Sequence, residues 1–182
     1  MGKHIYTEQG NQKKFGQRTD LEACYLLGEF GTKYFGRKAF LCPMPKQLYF
    51  GSVVHQGLAF YGGNITYHTE VELEEQSDLE IEMTHYVGAL VKVTLDGALT
   101  KYLVFSPYKV RFENVKEGKH TISYELFGTR YNTFSALHTL LADKERVYIG
   151  SDYWRSEGDG WAYEYQTRPF GICKAPIIRK LK

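Results

Sequence analysis

Nine consecutive residues alternate without a break: Ile65, Tyr67, Thr69, Val71 and Leu73 suit a core, while Thr66, His68, Glu70 and Glu72 between them suit water. Side chains on a strand point to opposite faces with a period of two, so the segment predicts a half-buried strand. The pattern then recurs. Leu79, Ile81 and Met83 alternate with Glu80 and Glu82 after a turn at Ser77-Asp78. Val91, Val93 and Leu95 run into Asp96-Gly97, a dipeptide that tolerates the positive φ of a tight hairpin, and Leu99 to Phe105 leads away to Pro107. Val110 and Phe112 precede a turn at Glu117-Gly118, and Ile122, Tyr124 and Leu126 make a further strand that Gly128 ends.

The flanks are less regular. Leu21 to Phe30, LEACYLLGEF, reads as a buried strand ending at Gly28 or Gly31, with Cys24 as core filler. After Gly128 only Thr133 to Asp143 has a helical spacing, through Phe134, Leu137 and Leu141, which suits a short helix on a long connection. Strand chemistry returns at Val147 to Ile149, at Trp161, Tyr163 and Tyr165, at Ile172, and at Ile177-Ile178 after Pro176. The 15 Tyr, 11 Phe and 2 Trp beside 18 Gly favour pleated sheet and tight turns. Eight to ten antiparallel strands, each with one polar face, predict an all-β fold: a jelly-roll β-sandwich with at most one or two short helices. It would occupy 21–182 as one domain, with 1–20 a polar arm or a start foreign to the domain.

Several function classes are disfavoured. With 23 basic against 21 acidic residues and no basic run, the 182-residue chain has no concentrated basic surface for nucleic acid. No stretch approaches the roughly 20 apolar residues that cross a bilayer, and the polar start lacks the apolar centre of a secretion signal. Cys24, Cys42 and Cys173 form no CxxC pair and read as thiols, with a single bridge left open. The six histidines show neither HxH nor HExxH spacing, so no metal site is assigned. Asp152, Glu157 and Asp159 are oxygen ligands of the kind that hold a structural calcium, without a known loop spacing. Glu70, Glu72, Glu74, Glu80 and Glu82 fall on the water-facing phase of two strands, where a catalytic carboxylate pair would be out of place.

The aromatics outside the alternations carry the stronger signal. Tyr153-Trp154, Trp161, Tyr61 and Tyr108 stand beside Gly, Pro or polar loop residues. Flat rings cover the apolar face of a pyranose by stacking, and neighbouring Arg, Asn, Asp and His satisfy its hydroxyls. The alternative is that these rings plug the ends of a sandwich.

Three stretches carry a resemblance. GLAFYGGNITYHTEVEL, from Gly57, resembles the GxPFYxGxxxY strand of the galactose-binding-like domains of glycoside hydrolase family 2 and its relatives. VKVTLDGALTKYLVFSPYKVRFENVKEGKHTISYELFGTRYN resembles their following hairpin, Pro-Tyr and Glu-Gly turn. GTRYNTFSALH and WAYEYQTRPFG are similar to the closing segments of the carboxy-terminal module in large bacterial glycoside hydrolases, from which the chain departs at Ser135-Ala136 in place of Gly-Pro. The resemblance spans roughly residues 48 to 178. It implies a non-catalytic module beside a catalytic domain that this chain does not contain, so the chain itself would not be an enzyme. Its expected partners are a carbohydrate and that domain, and a homo-oligomer is open; nucleic acid and membrane are not expected. The expected sugar contacts are Tyr153, Trp154 and Trp161 as stacking platforms, with Arg130, Asn132 and His138 as hydroxyl partners. Two other readings stay open: an interdomain brace without a sugar site, and a stand-alone jelly-roll hydrolase or lyase.

Overall fold

A computed structural model describes residues 26–135, 137–140 and 157–181. Eleven strands are formed among them: β1 Phe30–Phe35, β2 Lys38–Pro43, β3 Ile65–Leu73, β4 Ser77–Glu82, β5 Tyr86–Val87, β6 Leu90–Leu95, β7 Leu99–Leu103, β8 Lys109–Val115, β9 Gly118–Phe127, β10 Gly171–Ile172 and β11 Ile177–Leu181. The fold is an all-β sandwich. One principal sheet has the order β3-β9-β6-β7 and the other β11-β4-β8, with every ladder antiparallel. The chain passes between the sheets from β3 to β4, from β4 to β6, from β7 to β8 and back at β9, so neighbours in a sheet are distant in sequence except in the β6–β7 hairpin.

The two-residue period decides which faces meet. Ile65, Tyr67 and Leu73 of β3 are buried while Thr66, His68, Glu70 and Glu72 are exposed. Val91, Val93 and Leu95 of β6 and Ile122, Tyr124 and Leu126 of β9 line the same side. Opposite them Leu79 and Ile81 of β4, with Met83 just beyond it, and Val110, Phe112 and Val115 of β8 complete one core cluster. Each such aliphatic or aromatic side chain, fully buried, contributes about 1.5–3 kcal/mol. On the outer face of β4, Glu80 and Glu82 lie 2.9 and 2.6 Å from the Arg179 guanidinium of β11, and the Lys109 ammonium of β8 approaches both.

Four departures from the sequence expectations have physical reasons. Leu26 and Leu27 are 65% and 91% exposed and belong to no strand; β1 starts at Phe30, near where a strand was expected to end, because it pairs with β2, a strand the alternation did not reveal. Of the helix expected at Thr133 to Asp143 the described residues form one turn, Tyr131–Phe134, which Ser135 leaves in extended conformation, while 136 and 141–143 lie outside the described residues. Trp161, Tyr163 and Tyr165 form no strand, only the isolated bridge Thr139↔Trp161, because their rings pack on other rings rather than lining a ladder. β4 already begins at Ser77, where a turn was expected, with a register irregularity before Leu79. The expected strand at Val147 to Ile149 lies outside the described residues.

Candidate binding site at one end of the sandwich

The site forms where β3 begins and β9 finishes, since Ile65 pairs with Leu126. Gly128 lies so close to the 62–63 backbone that a Cβ there would sit 2.3 Å from the Gly63 carbonyl oxygen. Only glycine permits that approach. It brings the loop before β3 against the Tyr131–Phe134 turn, where the Thr133 hydroxyl donates to the Phe60 carbonyl at 2.9 Å. Beyond the turn, 137–140 runs antiparallel to 160–166. Leu140 N–H donates to Gly160 O at 3.1 Å, Ala162 N–H to His138 O at 2.7 Å and Gln166 N–H to Leu137 O at 2.6 Å.

This ribbon carries a continuous array of rings. Tyr34 of β1, Phe60 and Tyr165 pack mutually, with centroids 5.9, 5.3 and 4.9 Å apart. His138 lies 4.5 Å from Tyr165 and is stacked on Trp161 at 6.1 Å and 27°. Trp161 meets Tyr163 edge-on at 6.0 Å. Tyr163 is 55% exposed, and the Arg37 guanidinium stands 5.1 Å from its ring centre. The array therefore runs from a packed inner end at Tyr34 and Phe60 to a wet outer end at Tyr163.

The polar groups divide into used and unused. Asn132 is buried; its Nδ2 donates to Arg168 O at 2.8 Å and its Oδ1 accepts from Arg168 N–H at 2.9 Å. Its amide staples the closing segment to the helical turn and does not face a ligand. His138 Nδ1 lies 3.0 Å from Ala162 O, which can only accept, so Nδ1 carries a proton, and in the neutral ring Nε2 presents a lone pair. Nε2 has no hydrogen-bond partner among the described residues. Arg130 is exposed beside the helical turn, with no ion pair among the described residues. Tyr153 and Trp154 lie outside the described residues, as does Asp152 of the possible calcium loop.

Of the residues expected from the sequence, the structure thus joins Trp161 with His138, leaves Arg130 exposed beside the helical turn and turns Asn132 inward. Sequence reasoning missed Tyr163 as a ring with a wet face, and Arg37 beside it. The WxYxY spacing in Trp161-Ala162-Tyr163-Glu164-Tyr165 was visible, but a strand would have put all three rings on one face. Glu82 does not suit a raised general acid: the Arg179 hydrogen bond, opposed by burial, holds its carboxyl below the usual carboxylate range. Among the described residues no three His, Cys, Asp or Glu side chains gather as a metal-binding set.

No protein-family model matches the chain, and no curated protein does. Among solved structures it is similar to a GH2 β-galacturonidase from Eisenbergiella tayi bound to galacturonate, at 16% identity and TM-score 0.40, covering 84% of this chain and 23% of that one. A glycerol-bound structure of a GH2 β-galacturonidase from the same organism gives 17%, 0.41, 84% and 22%. A rhamnosidase from Novosphingobium sp. PP1Y gives 15% identity and TM-score 0.46, over 89% of this chain and 15% of that one. The chain spans less than a quarter of the length of each.

Proposed function

We propose that this chain is a non-catalytic carbohydrate-binding or substrate-positioning module of a bacterial glycoside hydrolase, with its sugar site at the outer end of the ring array. The observation that carries the reading is the array itself: Trp161 is held against His138, and Tyr163 stands exposed beside it. The sequence resemblance to family 2 modules supports the same reading. Rigid rings lose little conformational freedom on binding, so a pyranose CH face gains contact with them at low entropic cost. His138 Nε2 accepts one sugar hydroxyl, and Arg130 donates to another at the rim. Tyr153 and Trp154, on the same closing segment, belong to the proposal on their sequence alone. Each hydroxyl bound by the protein is one taken from water, so affinities in roughly the millimolar to micromolar range are expected.

A glycan array probed with the purified chain, with and without calcium, tests this. Saturable binding to one sugar class, lost in a folded Tyr163→Ala variant, is the expected outcome. Silence across the array by a folded protein would overturn it.

One observation favours the second reading, an interdomain brace. Leu99, Tyr102, Val104 and Phe105, on and just after the edge strand β7, are exposed, Phe105 by 83%. The Lys101 ammonium of β7 stands 5.7 Å from the Phe112 ring centre. Exposed apolar side chains along a sheet edge mark a protein contact more often than a sugar site.

A further inference from the structure

Among the described residues β7 has no strand beyond it, so one side of its backbone is open to pairing. Its register sets Leu99, Lys101 and Leu103 opposite Leu95, Val93 and Val91, three buried residues of β6. Lys101 therefore stands on the core-facing phase between two leucines, where the alternation calls for an apolar side chain. Its ammonium reaches the Phe112 ring of β8 in the other sheet, a ring that is itself buried. Lys101 is exposed and has no carboxylate partner among the described residues. The second sheet treats its edges in a similar way. On β11, Lys180 is exposed opposite Leu79, a buried residue of β4, again on the core-facing phase. On β8, Glu113 and Asn114 together face Asp78 alone, a bulge with Asn114 at φ 55°. The Asp78 carboxylate holds that bulge, accepting from Asn114 N–H at 2.7 Å.

We infer that Lys101 closes the β7 edge to strand addition, as Lys180 and the Asn114 bulge do at the edges of the other sheet. At an edge, the lysine stem covers apolar surface while its ammonium keeps its water. A strand added to β7 would cover that exit and leave an ammonium between the sheets without a partner, a cost that a neutral side chain would not carry. The neighbours make the charge matter: Leu99 and Tyr102 are exposed on the same strand, which without Lys101 would offer a second copy an apolar edge to pair with. A partner at this face is met by side chains such as Phe105 and not by a pairing strand. This holds whether or not the ring array binds sugar.

Sedimentation velocity and amide hydrogen exchange on the full chain, at about 10 and 200 μM, test this. In the unaltered chain the β7 amides are expected to exchange at the same rate at both concentrations. Lys101→Met keeps an unbranched stem near Phe112 and removes the charge, while Lys101→Val suits both the core phase and a strand. Both are expected to self-associate about tenfold more strongly than the unaltered chain, with β7 amides that slow as concentration rises. Lys101→Arg, which keeps the charge, and Thr100→Val, which adds an apolar group on the opposite phase, are expected to behave as the unaltered chain does. Thermal melts check that each variant is folded. If folded Lys101→Met and Lys101→Val associate no more than the unaltered chain, or if Lys101→Arg associates as readily as Lys101→Met, the inference is overturned. Concentration-dependent protection of the β7 amides in the unaltered chain overturns it as well.

Discussion

Asn132 joins two segments 36 residues apart through both ends of one amide. Asn132→Ala would remove both hydrogen bonds that the buried amide makes to the Arg168 backbone, which costs about 1–3 kcal/mol. A lower thermal midpoint is expected, together with weakened sugar binding, because the closing segment loses its anchor; an unchanged midpoint would mean that water replaces the amide. Two buried tyrosines make an internal contrast. The Tyr124 hydroxyl bonds Thr69 Oγ1 at 3.1 Å, whereas the Tyr67 hydroxyl, near the Ile172 amide, lacks a hydrogen bond of good geometry. Burial pushes both phenols up. Tyr124→Phe is expected to cost about 1 kcal/mol and Tyr67→Phe close to nothing, by denaturant melts of both. A larger loss at Tyr67 would mean that its hydroxyl is bonded in solution.

At the scale of elements, His120 of β9 clasps the β6–β7 turn. Its Nδ1 lies 2.7 Å from Asp96 Oδ2 and its Nε2 2.8 Å from Lys116 O, two acceptors that together require the imidazolium. The Asp96 bond, opposed by burial, raises the His120 value above its ordinary 6.5. Burial pushes the Asp96 carboxyl upward, but the bonds from His120 and Thr121 N–H outweigh it and hold the carboxyl below 3.8. The histidine term is full below pH 6.5 and is lost as pH rises through the folded value; the aspartate term is present above pH 3.8 and is lost on acidification through its own folded value. The midpoint gap between the protein and His120→Gln should therefore be widest between about pH 4 and 6.5 and shrink above it. A gap that grows with pH would contradict the clasp. Elements of this kind were legible in sequence wherever one face meets water, as in β3, β6 and β9. The β1–β2 hairpin was not, because Phe35, Phe40 and Leu41 leave apolar side chains exposed and break the alternation. The ring array was legible only as a list of aromatics, since its contacts join Tyr34 to residues more than a hundred positions away.

At the scale of the molecule, the ring array and the β7 edge are exposed surfaces among the described residues that invite different partners. They separate by mutation. Phe105→Ser is expected to leave sugar affinity unchanged, because Phe105 is not part of the ring array, and to reduce any self-association seen by sedimentation. Loss of sugar binding in that variant would move the site to the β7 edge. The most direct measurement uses the two tryptophans. With Trp154→Phe, Trp161 becomes the only indole, and its emission is followed as the sugar class found on the array is added. A saturable shift that disappears with Tyr163→Ala is the expected result; an emission spectrum that stays constant while calorimetry shows sugar binding would contradict a site at Trp161 and Tyr163.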